Sequence, residues 1–324
     1  MAKRALTLAA AVWLTIAALP ATGFAQADYP NKPIRFVVPY GPGGSIDVTA
    51  RIVSAAMAPL LGQQIVIDNK PGAAGQIGTE LAVRAPADGY TILIHGNILA
   101  SEMCLKKDLP YDIMTDMTPI MTLSETPFML VANASLPANN VKEFIAYTKA
   151  NPGKVLYGSS GVGSSGHLRG ELFKQETGAD MKLIPFKDSA SVVVGMLRND
   201  VQIGVETLPG SLAHIQEGKL KLLAVADKRL ALLPNVPTMT ESGFKPLPGQ
   251  WIAAYVSSKT PPEIVKKLSD AFAKSLAGPN VKDQFSKMVF EIVGTGQQET
   301  AKKLKEEKEA WCKTVQAAGI TLVP

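Results

Sequence analysis

The sequence predicts an α/β protein of two domains, each a mostly parallel sheet flanked by helices, with a ligand cleft between them. Three observations carry that prediction. Strand-like and helix-like segments alternate along most of the chain, glycine turns stand at the carboxyl ends of strands, and a proline-rich segment over 232–249 returns the chain toward its first half. At 324 residues there is enough chain for two domains and a substantial core. A hydrophobic content of 46% with 19% charged residues excludes a disordered protein.

The N-terminus stands apart from this alternation. Lys3 and Arg4 precede an apolar run that ends before Pro20, and Gly23-Phe24-Ala25 or Ala25-Gln26-Ala27 supplies the small-x-Ala cleavage pattern of a secretory signal peptide. A membrane anchor needs about 20 continuous apolar residues, and this run stops earlier. Residues 1–27 are therefore expected to be cut off near Ala25 or Ala27 on export, and no cysteine there invites a lipid anchor. Loss of Lys3 and Arg4 lowers the formal charge from +5 to +3. The remaining basic residues are scattered, or interleaved with Glu306, Glu307 and Glu309 on a solvated helix face, so no nucleic-acid patch is expected.

The elements follow in order. Residues 34–39 (IRFVVP) read as a strand, the turn Gly41-Pro42-Gly43-Gly44 follows, and a helix over 45–61 stops at Gly62. A strand over 64–68 leads through a second glycine turn at 70–75 (KPGAAG) into a helix over 77–84, then a strand over 90–94. Right-handed crossovers fold such a βαβαβ unit into a parallel sheet, with both turns at the edge where open α/β sheets bind ligands. The stretch 105–137, rich in Met, Thr and Pro, changes character. Alternation resumes with helices over 141–150, 164–177, 191–198 and 211–216 between strands over 155–159, 182–186, 201–205 and 221–225. A strand over 251–256 and helices over 262–276 and 299–318 close the chain.

The first glycine turn has the makings of an anion seat. The first N–H groups of a helix lack intrahelical partners, the dipole adds partial positive charge, and glycines admit a ligand to the backbone. Ser45-Ile46 stands where a nucleotide P-loop needs Lys-Ser/Thr, so a ligand smaller than a triphosphate is indicated. An ordinary βα turn is the alternative. Asp47 lies in the first helical turn, where a carboxylate favours the dipole whether or not it touches a ligand.

Gly161-Val162-Gly163-Ser164-Ser165-Gly166 matches the dinucleotide fingerprint, with Asp188 at the end of the next strand. Export, a loop rich in hydroxyls (Ser159, Ser160, Ser164, Ser165) and the basic Lys187 argue against that cofactor, and no cofactor is expected. The same hydroxyls and loop N–H groups suit a carboxylate. His167 in the following helical turn, Lys187, and Glu206 at a strand end are candidate cleft residues, each with a bland alternative as a core-edge or surface group. A secreted serine hydrolase is the alternative function, although no G-x-S-x-G elbow occurs. Two cysteines and three histidines at no ligand spacing leave no metal site in view. Cys104 and Cys312 pair in an oxidising compartment or stand as separate buried thiols.

An ordered set of stretches then carries a resemblance: 29–34 (YPNKPI), 37–51 (VVPYGPGGSIDVTAR), 68–75 (DNKPGAAG), 87–93 (ADGYTIL), 109–112 (LPYD), 157–161 (YGSSG) and 233–238 (LPNVPT). Behind an export signal, this resembles the tripartite tricarboxylate transporter receptors, the TctC or Bug family of periplasmic solute-binding proteins. The resemblance implies a periplasmic, non-enzymatic, two-domain Venus-flytrap protein, a monomer that hands a carboxylate to membrane permease subunits. Its first domain would span 28–126 plus 250–324 and its second 127–249. It also implies ligand contacts in the loop from Tyr40 to Ser45, with Gly43 and Gly44, and in the loop from Gly72 to Gln76, with Ala74 and Gly75; Asp47 is a candidate by its place in the first helical turn. Ser159, Ser160, Gly163 and Ser164 would close on the solute, with Glu206 as the acidic contact and His167 and Lys187 as candidates for a distal carboxylate. Lys187-Asp188-Ser189 and Ser101-Glu102-Met103 depart from the family pattern, which leaves the solute open.

Overall fold

The computed structural model describes residues 29–105, 109–207, 209–226 and 228–317; the expected signal peptide and its cleavage point lie outside them. Strand β1 (Ile34–Val38) runs parallel to β2 (Ile65–Asn69) on one side and to β3 (Thr91–Gly96) on the other. Helices α1 (Ser45–Leu61) and α2 (Gln76–Val83) make the crossovers. α1 ends because Gly62 takes φ 66°, a left-handed cap that a Cβ disfavours. Helices α3 (Ile98–Leu105) and α4 (Ile113–Asp116) lead into β4 (Met117–Thr126), after which β5 (Met129–Asn133) opens a second sheet.

That sheet is built by α5 (Val141–Ala150), β6 (Leu156–Ser159), α6 (Ser165–Thr177), β7 (Lys182–Pro185), α7 (Ser189–Leu197), β8 (Ile203–Glu206), α8 (Leu212–Gln216) and β9 (Leu220–Val225). Strand β10 (Gln250–Ser257) returns to the first sheet, followed by α9 (Pro262–Ala277), α10 (Pro279–Lys287), β11 (Glu291–Thr295) and α11 (Gln297–Ala317). The strand orders are β11-β4-β10-β3-β1-β2 and β7-β6-β8-β5-β9.

The two-sheet α/β architecture agrees with the sequence reading, with one correction. Each sheet is mixed rather than mostly parallel, because β4, β5 and β10 pair antiparallel with their neighbours. β4 and β5 fall in the stretch whose composition only signalled a change. β4 lacks polar-apolar alternation because nearly all of it is buried. Its polar residues are matched internally: Thr122 N–H donates to Thr300 Oγ1 at 2.9 Å, and Ser124 Oγ lies 3.3 Å from Thr49 Oγ1. Helix α10 and the short edge strand β11 were likewise not anticipated.

Each sheet is covered on both faces. Phe36 and Ile252 pack against Met57, Phe272 and Phe285 on one face of the first sheet, while Leu93 and Tyr255 meet Leu304 and Trp311 on the other. In the second sheet Tyr157 and Ile203 pack with Phe144 and Phe173, and Val131 with Val192 and Met196 opposite. Cys104 and Cys312 are bonded, tying α3 to α11 across 208 residues.

The chain leaves the first sheet at Thr126 and re-enters it at Gln250, and these two residues face each other across the β4–β10 pair. Arg169 of α6 grips both crossing points. Its Nε donates to Pro248 O at 2.6 Å, its Nη2 to Gly249 O at 2.7 Å, and the guanidinium lies 3.8 Å over the Phe128 ring and 5.3 Å from that of Trp311. Burial pushes its pKa down to about 9, against the opposing charge of Glu307. A lysine ammonium cannot reach two carbonyls and stack on a ring at once. Arg169→Lys is expected to lower stability by roughly 2–4 kcal/mol, seen as a reduced urea midpoint.

Candidate functional site

The turn between β1 and α1 is held open from behind. Gly43 takes φ 87°, and its N–H donates to Asp47 Oδ2 at 3.0 Å. Asp47 also accepts from Arg51 Nε and Asn69 Nδ2, both at 2.9 Å, and Asn69 Nδ2 reaches Tyr40 O as well. Burial alone raises the Asp47 pKa, but hydrogen bonds from Arg51, Gly43 and Asn69 outweigh it and hold the carboxyl below its usual range. Asp47 is thus the brace of the turn. No side chain caps α1, whose N-cap is Gly44, so its first N–H groups are left for whatever enters the cleft.

The second glycine loop packs behind Tyr40, whose hydroxyl donates to Ala74 O at 2.9 Å. Four consecutive residues, Gly72, Ala73, Ala74 and Gly75, have positive φ. A Cβ on Gly75 would sit 2.8 Å from the Tyr40 hydroxyl and 3.2 Å from Glu102 Oε1, so only glycine fits there. Glu102 in turn accepts from Tyr111 and lies 3.2 Å from His95 Nε2.

Across the cleft, the β6–α6 loop follows the same logic. Ser164 caps α6, and the third glycine of the motif, Gly166, brings the helix against β8: a Cβ there would stand 3.0 Å from Val205 O. Gly163 N–H donates to His167 Nδ1 at 2.9 Å, so His167 braces its own loop. That bond also occupies the nitrogen that the acid of a hydrolytic triad would need.

Between the loops lies a cavity of about 40 Å³. Of the residues expected there, Tyr40, Gly44, Ser45, Asp47, Ser160 and Glu206 line it. Gly43, Ala74, Gly75, Gln76, Ser159, Gly163, Ser164, His167 and Lys187 do not. Lys187 is exposed because Asp188, in extended backbone, turns its carboxyl to cap α7 at Ser191 N, which sends the preceding side chain the other way. Sequence reasoning missed Ile46, Phe128, Thr207 and Gln250 as lining residues; it named Ser165 only among the hydroxyls of its loop, and Asp188 and Ser189 only as a dinucleotide acid and a departure from the family pattern. Gln250, which accepts from Ser45 Oγ at 3.1 Å, belongs to a distant strand that no local pattern connects to the turn.

The lining holds three carboxyl groups, Asp47, Asp188 and Glu206, and no Lys, Arg or His. Burial pushes Glu206 up to about 8, although a hydrogen bond with Ser189 works the other way. The two sides touch: a Cβ on Gly41 would lie 2.7 Å from Asp188 Cβ, and one on Gly44 3.5 Å from Ser189 Oγ. While Asp188 and Ser189 stand against the first turn, the cavity has room for a few waters but not for an organic acid. Among the described residues no cluster of His, Cys, Asp and Glu is placed to hold a metal, and no helix is long and apolar enough to cross a membrane.

Comparison with known proteins places this geometry in context. The sequence model of a family described as the tripartite tricarboxylate transporter family receptor, TctC, matches residues 49–320. Protein BugT of Bordetella pertussis is 33% identical over 320 residues, 97% of this chain and 98% of that one. A solved R. palustris structure with adipate superposes with a TM-score of 0.86 at 31% identity, covering 91% of this chain and all of the other. MatC of Rhodopseudomonas palustris with bound malate gives 0.83 at 26% identity, covering 89% and 100%.

Burial pushes the His167 pKa down, Lys174 adding to the effect and Glu171 opposing it. The unfolded chain therefore takes up the proton more readily than the folded one, and stability is lost as pH falls below the ordinary value of about 6.5. The melting midpoint is expected to drop between neutral and mildly acid pH, and His167→Gln to lose that part of the drop.

Proposed function

The chain belongs to the tripartite tricarboxylate transporter receptor family, and from that premise we propose that it captures a carboxylate-bearing solute between its two sheets and delivers it to the permease subunits of a tripartite transporter. The observation that carries the reading is the uncapped, glycine-lined N-terminus of α1 facing the serine loop of α6 across the cavity. The adipate and malate held by two structural relatives support an organic acid as the class. In this reading the mature chain is a periplasmic monomer released from its signal peptide near Ala25 or Ala27, and it performs no catalysis.

Capture proceeds in three steps. The open form exposes the first helical N–H groups and Ser45, which take a carboxylate through charge-assisted hydrogen bonds. The segments at 126–128 and 248–250 flex, with residues 28–126 and 250–324 moving as one body and 127–249 as the other. Closure then brings Ser160, Ser165 and Ser189 onto the solute and excludes water. Stripping water from the site strengthens each bond to the anion.

A thermal-shift panel of acetate, malate, adipate, citrate and benzoate is expected to raise the melting midpoint of the mature protein with at least one member. A shift with sugars or inorganic cations and none with acids would refute the proposal. Gly41→Ala tests closure, since its methyl would overlap Asp188 in the closed form. It is expected to weaken binding of the stabilising acid by about tenfold or more while the melting midpoint of the free protein moves little.

A further inference from the structure

Glu206 ends β8 at the cavity with 7% of its surface exposed, and its Oε1 is buried without a hydrogen-bond partner. A buried polar oxygen left unpaired on a binding cavity marks a bond that a ligand can complete. The groups around it are these. α7 contributes the Ser189 hydroxyl and the capping carboxyl of Asp188, and α6 brings Gly166 against Oε1 with His167 next in sequence. α1 contributes Asp47, whose charge is committed to Arg51, and β5 pairs the uncharged Met129 opposite. With no cation lining the cavity, an ionised Glu206 would add a second unpaired negative charge beside Asp188 and face an incoming carboxylate.

We propose that Glu206 serves the cleft as a neutral carboxylic acid that donates its O–H to an oxygen of the bound solute, so that the receptor holds carboxylate and proton together. Burial, the main influence on this carboxyl, favours the neutral form. The proton stays on Glu206 and no bond to the solute forms. The consequence is selectivity: the far end of the solute must offer an acceptor oxygen, and a solute ending in an ammonium group is rejected. This inference rests on the carboxylate reading above.

Above the pKa of Glu206 the free protein must regain a proton to bind, so affinity falls by about tenfold between pH 7 and pH 9, while the charge on the organic acid is constant. Calorimetric titration with malate, adipate, citrate and benzoate, in buffers of different ionisation enthalpy, counts the protons. Uptake should rise from near none at pH 7 toward one proton at pH 9, and vanish together with the pH trend in Glu206→Gln. No uptake in the wild type at pH 9, proton release, or uptake that persists in the variant overturns the proposal. Release in particular would mean that binding favours the ionised form of Glu206, the opposite of the proposal. Binding of none of the acids at any pH would instead refute the carboxylate reading, and this inference with it. A ligand-free check is the infrared C=O stretch of a protonated carboxyl at pH 7: its presence in the wild type and loss in Glu206→Gln is expected, and its absence from the wild type overturns the assignment.

Discussion

The Arg169 guanidinium ties together the two segments that cross between the sheets. Arg169 is fully buried, and burying a charge is costly unless its donors and its ring-like faces are matched. Here the carbonyls of Pro248 and Gly249 take the donors and the Phe128 ring takes a face. Those partners sit on the two segments that pass between the sheets. The clamp is continued on the other side by Glu307, which accepts from Asn97 and from the indoles of Trp251 and Trp311. Asn97 in turn donates to Gly249 O, the same carbonyl that Arg169 holds. Because Arg169 rides on α6, whose first turn carries the serine loop, one helix both holds the crossing segments and forms one side of the candidate site.

The candidate site offers an anion its donors without a basic side chain. Helix N-termini, loop N–H groups and hydroxyls supply the donors, and the acidic side chains nearby are occupied with holding those donors in place. Asp47 braces the first turn and Asp188 caps α7. Such a site gains its strength from fixed dipoles in a closed cavity rather than from ion pairing. The two faces meet through glycines on the first turn, where any side chain at Gly41 would keep them apart.

Much of the cleft was legible because its parts are local. The turn at 41–44 and the loop at 161–166 each combine glycines with a helix start, and both stand on the cavity or directly behind it. The illegible parts are those where a local role competes with a ligand role. His167 has the position of a ligand group, yet its ring nitrogen is taken by Gly163, and Lys187 is turned out by the cap that follows it. β4 escaped recognition because burial on both faces removes the period of two on which strand detection depends.

Local chemistry was determined by the sequence alone: where helices begin and stop, which turns need glycine, and which family the ordered stretches belong to. Gly62 and Ser164 act through neighbours within a few residues, so no tertiary contact was needed to read them as the stop of one helix and the start of another. The tertiary structure decided what depends on distant partners: the bond between Cys104 and Cys312, the grip of Arg169 on Pro248, and the meeting of Gln250 with Ser45. It also decided that Glu206 keeps one oxygen without a partner at the cavity. Burial and the absence of a nearby cation are properties of the folded surroundings, and they set Glu206 apart from Asp47, whose partners Gly43 and Arg51 lie on its own turn and helix.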